Sequence, residues 1–191
     1  MSTETTVYFV RHAHSPWVPD AEAERGLSEE GKADAERVAD ILPDDIDAAI
    51  SSPYARAVET LEPFTNRTDT DLHIEEGFRE RLLSPDPVES FGETFDSAVE
   101  RVWSDWEFAW AGGESNLDAQ ARGVDALERA LARHEGETIA VGTHGNLLTL
   151  TLNYYDPAFD YDFWRDELGM PDVYRATFAG GELTATERVY G

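Results

Sequence analysis

Short apolar segments alternate with longer amphipathic ones along this chain, and this alternation constrains its fold more than any other feature. Residues 5–10 (TTVYFV) are all β-branched or aromatic, which is typical of a buried strand. Ser28 then offers a helix N-cap, with Glu29 and Glu30 in the first turn of an amphipathic helix to Leu42. Strands that alternate with helices predict a three-layer α/β/α fold with a mostly parallel central sheet. We expect a single domain over residues 1–191, because this length suits one core.

The same patterns predict the remaining elements. Further strands are expected at residues 47–51, 72–74 and 137–142, with a terminal hairpin at 173–178 and 182–189. Ser52 followed by Pro53 predicts the start of a helix that reaches about Phe64. A helix over residues 94–110 is predicted from an apolar face made of Phe95, Ala98, Val99, Val102, Trp103, Trp106 and Trp110. The helix predicted from Ser115 to about His134 turns the following residues inward: Leu117, Val124, Leu127 and Leu131.

Acidic residues dominate the charge of the chain, with 40 Asp and Glu against 15 Lys and Arg and a net charge of −25. Such a surface repels nucleic acids and anionic membranes. Lys32 is the only lysine and there is no cysteine, so disulfides and thiolate chemistry are excluded. This composition suggests a cytoplasmic protein of a salt-loving archaeon, or else an acidic protein with a basic partner. We expect neither a signal peptide nor a transmembrane helix.

Two predicted strands end in histidine, at Arg11-His12 and at Thr143-His144, and a third runs into a helix that carries Arg56 in its first turns. Ligands of open α/β sheets bind beyond the carboxyl ends of the strands, so these side chains are expected to converge. Clustered cations need a bound anion, and guanidinium groups match phosphate oxygens through paired hydrogen bonds. A neutral imidazole beside that anion is a competent nucleophile toward phosphorus.

Six blocks of sequence, in order, resemble the histidine phosphatase (phosphoglycerate mutase-like) superfamily. The first is Arg11-His12-Ala13-His14-Ser15, which is similar to the Arg-His-Gly signature of that family. The others cover residues 27–31 (LSEEG), 51–60 (SSPYARAVET), 78–80 (FRE) with 112–115 (GGES), and 143–146 (THGN). The resemblance spans about residues 7 to 178 and implies the phosphoglycerate mutase-like fold.

The resemblance also implies a mechanism and a set of roles. His12 would be the nucleophile that forms a phosphohistidine, and Arg11, Arg56 and His144 would hold the phosphoryl oxygens. Glu80, with Glu76 as the alternative, would protonate the leaving oxygen and then activate water. The following residues would bind substrate: Arg11, Ser15, Arg56, His144 and Gly145. The enzyme would hydrolyse a small phosphorylated metabolite and would need no metal or other cofactor.

Some residues depart from the family pattern. Ala13 replaces the glycine of many relatives, and His14-Ser15 stands where many have Glu-Thr. Val18 aligns with an asparagine that helps to hold phosphate in many relatives, so that contact is missing here or is supplied by His14 or Ser15. The nucleophile itself is retained.

Other functions stay open at this stage. A mutase of the same fold would transfer the phosphoryl group, although mutases generally carry longer insertions than 191 residues accommodate. His12, His14 and His144 could instead hold a metal for hydrolysis. A catalytically dead binding module is a further alternative. Substrate identity and oligomeric state are not predicted; residues 81–93 and the aromatic stretch 154–164 are the candidate specificity segments.

Overall fold

A computed structural model describes residues 3–191, which form one six-stranded sheet with helices on both faces. The strands are β1 (Glu4–Arg11), β2 (Ala48–Ser51), β3 (Leu72–Ile74), β4 (Thr138–Thr143), β5 (Asp172–Ala179) and β6 (Glu182–Tyr190). The α-helices are α1 (Glu29–Ile41), α2 (Ala55–Thr68), α3 (Phe95–Ser104), α4 (Asn116–Arg133) and α5 (Gly145–Tyr155). Short 3₁₀ segments at Glu76–Phe78 and Val88–Phe91 and a π-helical segment at Phe163–Glu167 lie between them.

The sheet order is β3-β2-β4-β1-β5-β6. The first four strands in this order are mutually parallel, whereas β5 and β6 are antiparallel additions that form a terminal hairpin. The predicted three-layer fold with a mostly parallel sheet is therefore confirmed. Within the described residues, no helix combines the length and the apolar character that a membrane crossing requires.

Alternation along β1 divides the apolar side chains between two cores. Val7 and Phe9 pack with α4 and α5 through residues such as Leu127 and Leu147. Val10 lies on the opposite face, in a second core that contains Val38 of α1 and Leu61 and Phe64 of α2. Because both faces of the strand are covered, residues 7–10 (VYFV) form an unbroken apolar run, as expected for a central strand.

Helix α1 begins as predicted, because the Ser28 hydroxyl accepts a hydrogen bond from the backbone N–H of Gly31 at 3.0 Å. Gly31 also lies against the loop that follows β1: a Cβ at this position would stand 2.1 Å from the carbonyl oxygen of His14. The glycine of the 27–31 block therefore lets α1 approach the loop that follows β1.

Three local predictions were wrong. Ser52 does not cap α2, which begins at Ala55 after Tyr54 and continues through Pro63 to Thr68. The helix predicted over residues 94–110 ends at Ser104, and Trp106 and Trp110 pack against α3 from the loop that follows it. Leu117, predicted to face inward, is 49% exposed because it lies in the first turn of α4, outside the core contact.

Candidate active site

The strand register brings the two histidines together. β1 and β4 are parallel neighbours with Arg11 opposite Thr143, and the N–H of His12 donates to the carbonyl of Thr143 at 3.1 Å. The residues that follow the two strands therefore meet at the same sheet edge. The ring centroids of His12 and His144 lie 5.1 Å apart, and both side chains are buried.

The tautomer of His12 follows from its neighbours. Its Nδ1 lies 2.7 Å from the carbonyl oxygen of Ala13, which can only accept, so Nδ1 carries the proton and Nε2 keeps its lone pair. Burial, followed by the positive charge of Arg56, lowers the pKa of His12 to about 3. The imidazole is therefore uncharged near neutral pH, and its Nε2 is nucleophilic.

Arg56 is 1% exposed and lies directly against this lone pair. Its Nε–H donates to Nε2 of His12 at 3.2 Å. Its two terminal nitrogens donate to Glu22, one to the backbone carbonyl and one to the carboxylate, both at 2.6 Å. Burial lowers the pKa of this guanidinium, which nevertheless stays a cation at neutral pH because arginine starts far above that range.

Arg11 and His144 each have a buried nitrogen without a hydrogen-bond partner among the described residues. One terminal nitrogen of Arg11 donates to the carbonyls of Leu168 and Gly169 at 3.1 and 2.9 Å, but its Nε has no acceptor. The Nε2 of His144 lies 2.7 Å from the Ser52 hydroxyl, whereas its Nδ1 has no partner. Unpaired buried polar atoms are costly; an anion would satisfy the Arg11 Nε–H, and in the tautomer that carries its proton on Nδ1 it would satisfy His144 as well.

Gly145 follows His144 and starts α5. A Cβ there would lie 3.0 Å from three atoms of the Arg11 guanidinium, so the glycine gives that side chain room to pass the helix N-terminus. This is a positional role toward Arg11, next to the N–H groups that open α5.

Glu80 lies against the first turn of α5. Its carboxylate accepts hydrogen bonds from the backbone N–H groups of Asn146 at 3.2 Å, Leu147 at 3.0 Å and Arg81 at 2.8 Å. Its charge acts on both Arg11 and Arg56, which places it beside the cationic group. Glu76, the alternative acid, is exposed on the outside of its short 3₁₀ turn. The structure therefore brings Glu80, rather than Glu76, to the histidines.

Arg122 of α4 holds the segment that carries Glu80. It donates to the carbonyls of Gly77 at 2.8 Å and Arg79 at 3.0 Å, and it pairs with both carboxylate oxygens of Glu114 at 2.8 Å. Glu114 in turn accepts from the N–H of Leu82 at 2.9 Å. This ion pair therefore fixes the backbone on both sides of Glu80, and it accounts for Glu114 in the 112–115 block.

The predicted substrate residue Ser15 is occupied by protein partners. Its hydroxyl donates to the carbonyl of Gly26 at 2.7 Å and accepts from Arg25 at 2.8 Å. Arg25 also donates to the Ser15 carbonyl, and its positive charge lowers the pKa of both His12 and His144. Ser15 therefore orients Arg25, and Val18 is a partly exposed residue nearby in the chain.

Sequence reasoning missed Arg25, Glu22 and Ser52. Arg25 and Glu22 lie in a loop without regular structure, where their only signal was an arginine two residues before the 27–31 block. Ser52 was noticed but was interpreted as a helix cap; instead its hydroxyl accepts from the Tyr54 N–H at 3.2 Å and bonds His144.

The three histidines proposed for metal binding do not converge. His14 is exposed, and its Nδ1 bonds the Ser28 hydroxyl at 2.8 Å on the α1 side of the loop. Across residues 3–191, no three His, Asp or Glu side chains are arranged to hold a metal ion. His14 therefore does not join the pair of His12 and His144 in the way that the metal-hydrolase alternative requires.

A family model for the histidine phosphatase superfamily, branch 1, matches residues 7–189 of this chain. The chain belongs to this superfamily. It is also 35% identical to the uncharacterized protein Rv0525 of Mycobacterium tuberculosis, over 81% of this chain and 80% of that protein. The predicted family is thus confirmed, whereas the archaeal, salt-loving origin stays a prediction.

Solved structures share the fold. YhfR of Bacillus stearothermophilus superposes with a TM-score of 0.78 at 24% identity, covering 95% of each chain. A phosphoserine phosphatase from Entamoeba histolytica gives 0.77 at 19% identity, covering 97% of this chain and 96% of that one. A phosphoglycerate mutase from Bacillus anthracis is similar at 0.76, with 19% identity over 98% of this chain and 93% of that one. At these identities the likeness concerns the fold, and the family supports a phosphatase or phosphoryl-transfer enzyme.

The charge state of the two histidines can be tested directly. In the free protein we expect both imidazoles to stay neutral, without titrating between about pH 8 and pH 5, where an exposed histidine would titrate. ¹⁵N-detected NMR of the ring nitrogens measures the charge state of both imidazoles across this pH range. Arg56→Met should raise the pKa of His12, because it removes a charge that lowers it. Titration of His12 near its usual 6.5 would contradict the geometry.

Arg122 is expected to affect kcat by holding Glu80 in position. Arg122→Met should lower kcat by on the order of tenfold to 100-fold, because small displacements of a reacting group are costly. Its effect should be largely absent in a Glu80→Gln background, since both changes remove the same function. Arg129→Met on the same helix is the matched control, because it breaks an exposed ion pair with Glu75. Equal loss of kcat in both backgrounds would contradict a role through Glu80.

Proposed function

We propose that this protein is a metal-independent phosphomonoesterase that works through a phosphohistidine intermediate on His12. The observation that carries the proposal is the uncharged His12, with its Nε2 lone pair directed at Arg56 and its ring beside His144. The unpaired Nε–H of Arg11 supplies a further donor for the same anion, and so does the unpaired Nδ1 of His144 in the tautomer that carries its proton there. The site is thus cationic overall yet contains an uncharged nucleophile, as transfer of a phosphoryl dianion requires.

In the first step, Nε2 of His12 attacks phosphorus while the P–O bond to the leaving group breaks. The Arg56 Nε–H, which donates to Nε2 in the free protein, moves to a phosphoryl oxygen and so releases the lone pair. Arg11, Arg56 and His144 hold the equatorial oxygens, where the negative charge of the transition state is spread. Glu80, in its acid form, gives its proton to the departing alkoxide oxygen.

The second step returns the enzyme to its starting state. Glu80, now a carboxylate, takes a proton from a water molecule whose oxygen attacks phosphorus. The N–P bond breaks, inorganic phosphate forms, and His12 recovers its neutral imidazole. The Nδ1–H bond to the Ala13 carbonyl keeps the ring orientation and tautomer through both steps.

Glu80 and Glu76 are distinguished here by position. Only Glu80 accepts from the α5 N-terminus next to His144, so we assign it the acid and base role. The substrate is expected to be a small phosphorylated metabolite. We further propose that the 191 residues act as one domain in the cytoplasm and, given the charge of −25, without nucleic-acid or membrane partners.

The intermediate is the decisive test. Incubation with a ³²P-labelled phosphomonoester, followed by rapid quenching, should give a label on the protein that is acid-labile and alkali-stable. His12→Ala should abolish it, and Glu80→Gln should prolong its lifetime on substrates with good leaving groups, because water activation is lost. Assays with chelator present should release inorganic phosphate. A label that survives His12→Ala, or isomerised product without phosphate release, would refute the phosphatase assignment.

Salt dependence tests the proposed adaptation to high salt. The net charge of −25 repels itself within the compact state, and salt screens that repulsion. We expect folding and turnover to require molar concentrations of potassium or sodium chloride. Circular dichroism and activity measured across a salt series check this; full folding and turnover in dilute buffer would contradict it.

A further inference from the structure

Glu22 is an acidic residue inside a site built to hold an anion. One carboxylate oxygen accepts from a terminal nitrogen of Arg56 at 2.6 Å, and the other accepts from Nε of Arg25 at 3.0 Å. Arg56 is 1% exposed and the Arg25 side chain 13% exposed, whereas the Glu22 side chain is 47% exposed. Arg56 is therefore buried and Arg25 is largely covered, while the carboxylate that joins them reaches solvent.

The two arginines differ in how firmly the rest of the protein holds them. Arg25 also donates to the carbonyl and the hydroxyl of Ser15, at 3.0 and 2.8 Å. Arg56 has the backbone carbonyl of Glu22 and Nε2 of His12 as its other acceptors. Both guanidinium groups therefore keep protein partners if the Glu22 carboxylate turns toward solvent.

We propose that Glu22 is a resident counter-anion that competes with the phosphoryl group for Arg56 and Arg25, and so limits how tightly the enzyme retains inorganic phosphate. The inference rests on the proposed function, because it concerns the same anion site. Hydrogen bonds from guanidinium to carboxylate and to phosphate use the same donors and similar geometry. A phosphoryl oxygen that enters the site therefore replaces a carboxylate oxygen, rather than filling an unpaired position on these arginines.

This competition has a function in turnover. A site with three arginines and two buried imidazoles would bind phosphate tightly, and a tightly held product slows each cycle. The Glu22 charge offsets part of that attraction in the free enzyme. Since it is attached to the chain, it returns to the arginines as soon as phosphate leaves.

Glu22→Gln tests the proposal with little change in shape. The amide keeps an oxygen that can accept from Arg56 but removes the negative charge. We expect the dissociation constant of inorganic phosphate, measured by isothermal titration calorimetry, to fall by about fivefold to tenfold. The inhibition constant of vanadate should fall in parallel. Glu24→Gln is the matched control: it makes the same charge change on the same loop, in an exposed residue whose side chain has no hydrogen bond or ion pair within residues 3–191. It should shift both constants by less than about twofold, because exposed charges are screened.

The outcomes separate this inference from the proposed function. Glu22→Ala repeats the test without any acceptor, and it too should bind phosphate more tightly than the unmodified protein. Phosphate binding that is unchanged or weaker in both Glu22 variants would overturn the proposal, as would equal gains in Glu22→Gln and Glu24→Gln. Failure of the unmodified protein to bind phosphate or form the His12 intermediate would instead count against the proposed function.

Discussion

Burial of positive charge beside an uncharged imidazole is the interaction on which the site depends. Arg56 is buried and Arg11 is partly buried at one edge of the sheet, in a protein whose net charge is −25. Desolvation and mutual repulsion make such an arrangement costly without a partner anion. The protein offsets the cost with backbone carbonyls at Arg11 and with Glu22 at Arg56, and it keeps both histidines neutral. The Nε of Arg11 and the Nδ1 of His144 remain unpaired and are then available to a phosphoryl group.

The sheet topology makes this cluster possible. β4 lies between β2 and β1, so three parallel strands end side by side and deliver Ser52, His144 and His12 to one edge. The helices that cover the sheet position two further site residues: α2 carries Arg56, and the N-terminus of α5 binds Glu80. α4 holds the Glu80 segment from behind through Arg122. Each chemical group is thus positioned by regular structure rather than by loop contacts alone.

This dependence on strand ends explains what could be predicted from the sequence. Apolar runs followed by Arg-His and Thr-His identify two strand ends, and parallel pairing then makes their convergence a geometric consequence. The same reasoning located Arg56, whereas Glu80 became a candidate through the family resemblance, and only the structure shows its carboxylate bonded to the first turn of α5. Arg25 and Glu22 were not predicted as site residues, because a loop has no periodicity from which the direction of a side chain can be inferred. The predicted helix over residues 94–110 was too long for a related reason. Trp106 and Trp110 pack against α3 from a loop, but their spacing in the sequence is the same as that of core-facing residues on a helix.

The hydrogen bond from Arg56 to Nε2 of His12 has a consequence for the resting protein. A free imidazole lone pair reacts with alkylating electrophiles and binds transition metals without much selectivity. Here the guanidinium covers that lone pair until an anion draws its N–H away. The nucleophilicity of His12 therefore depends on its substrate: the phosphoryl group that Nε2 attacks is also the anion that draws the Arg56 N–H away from Nε2.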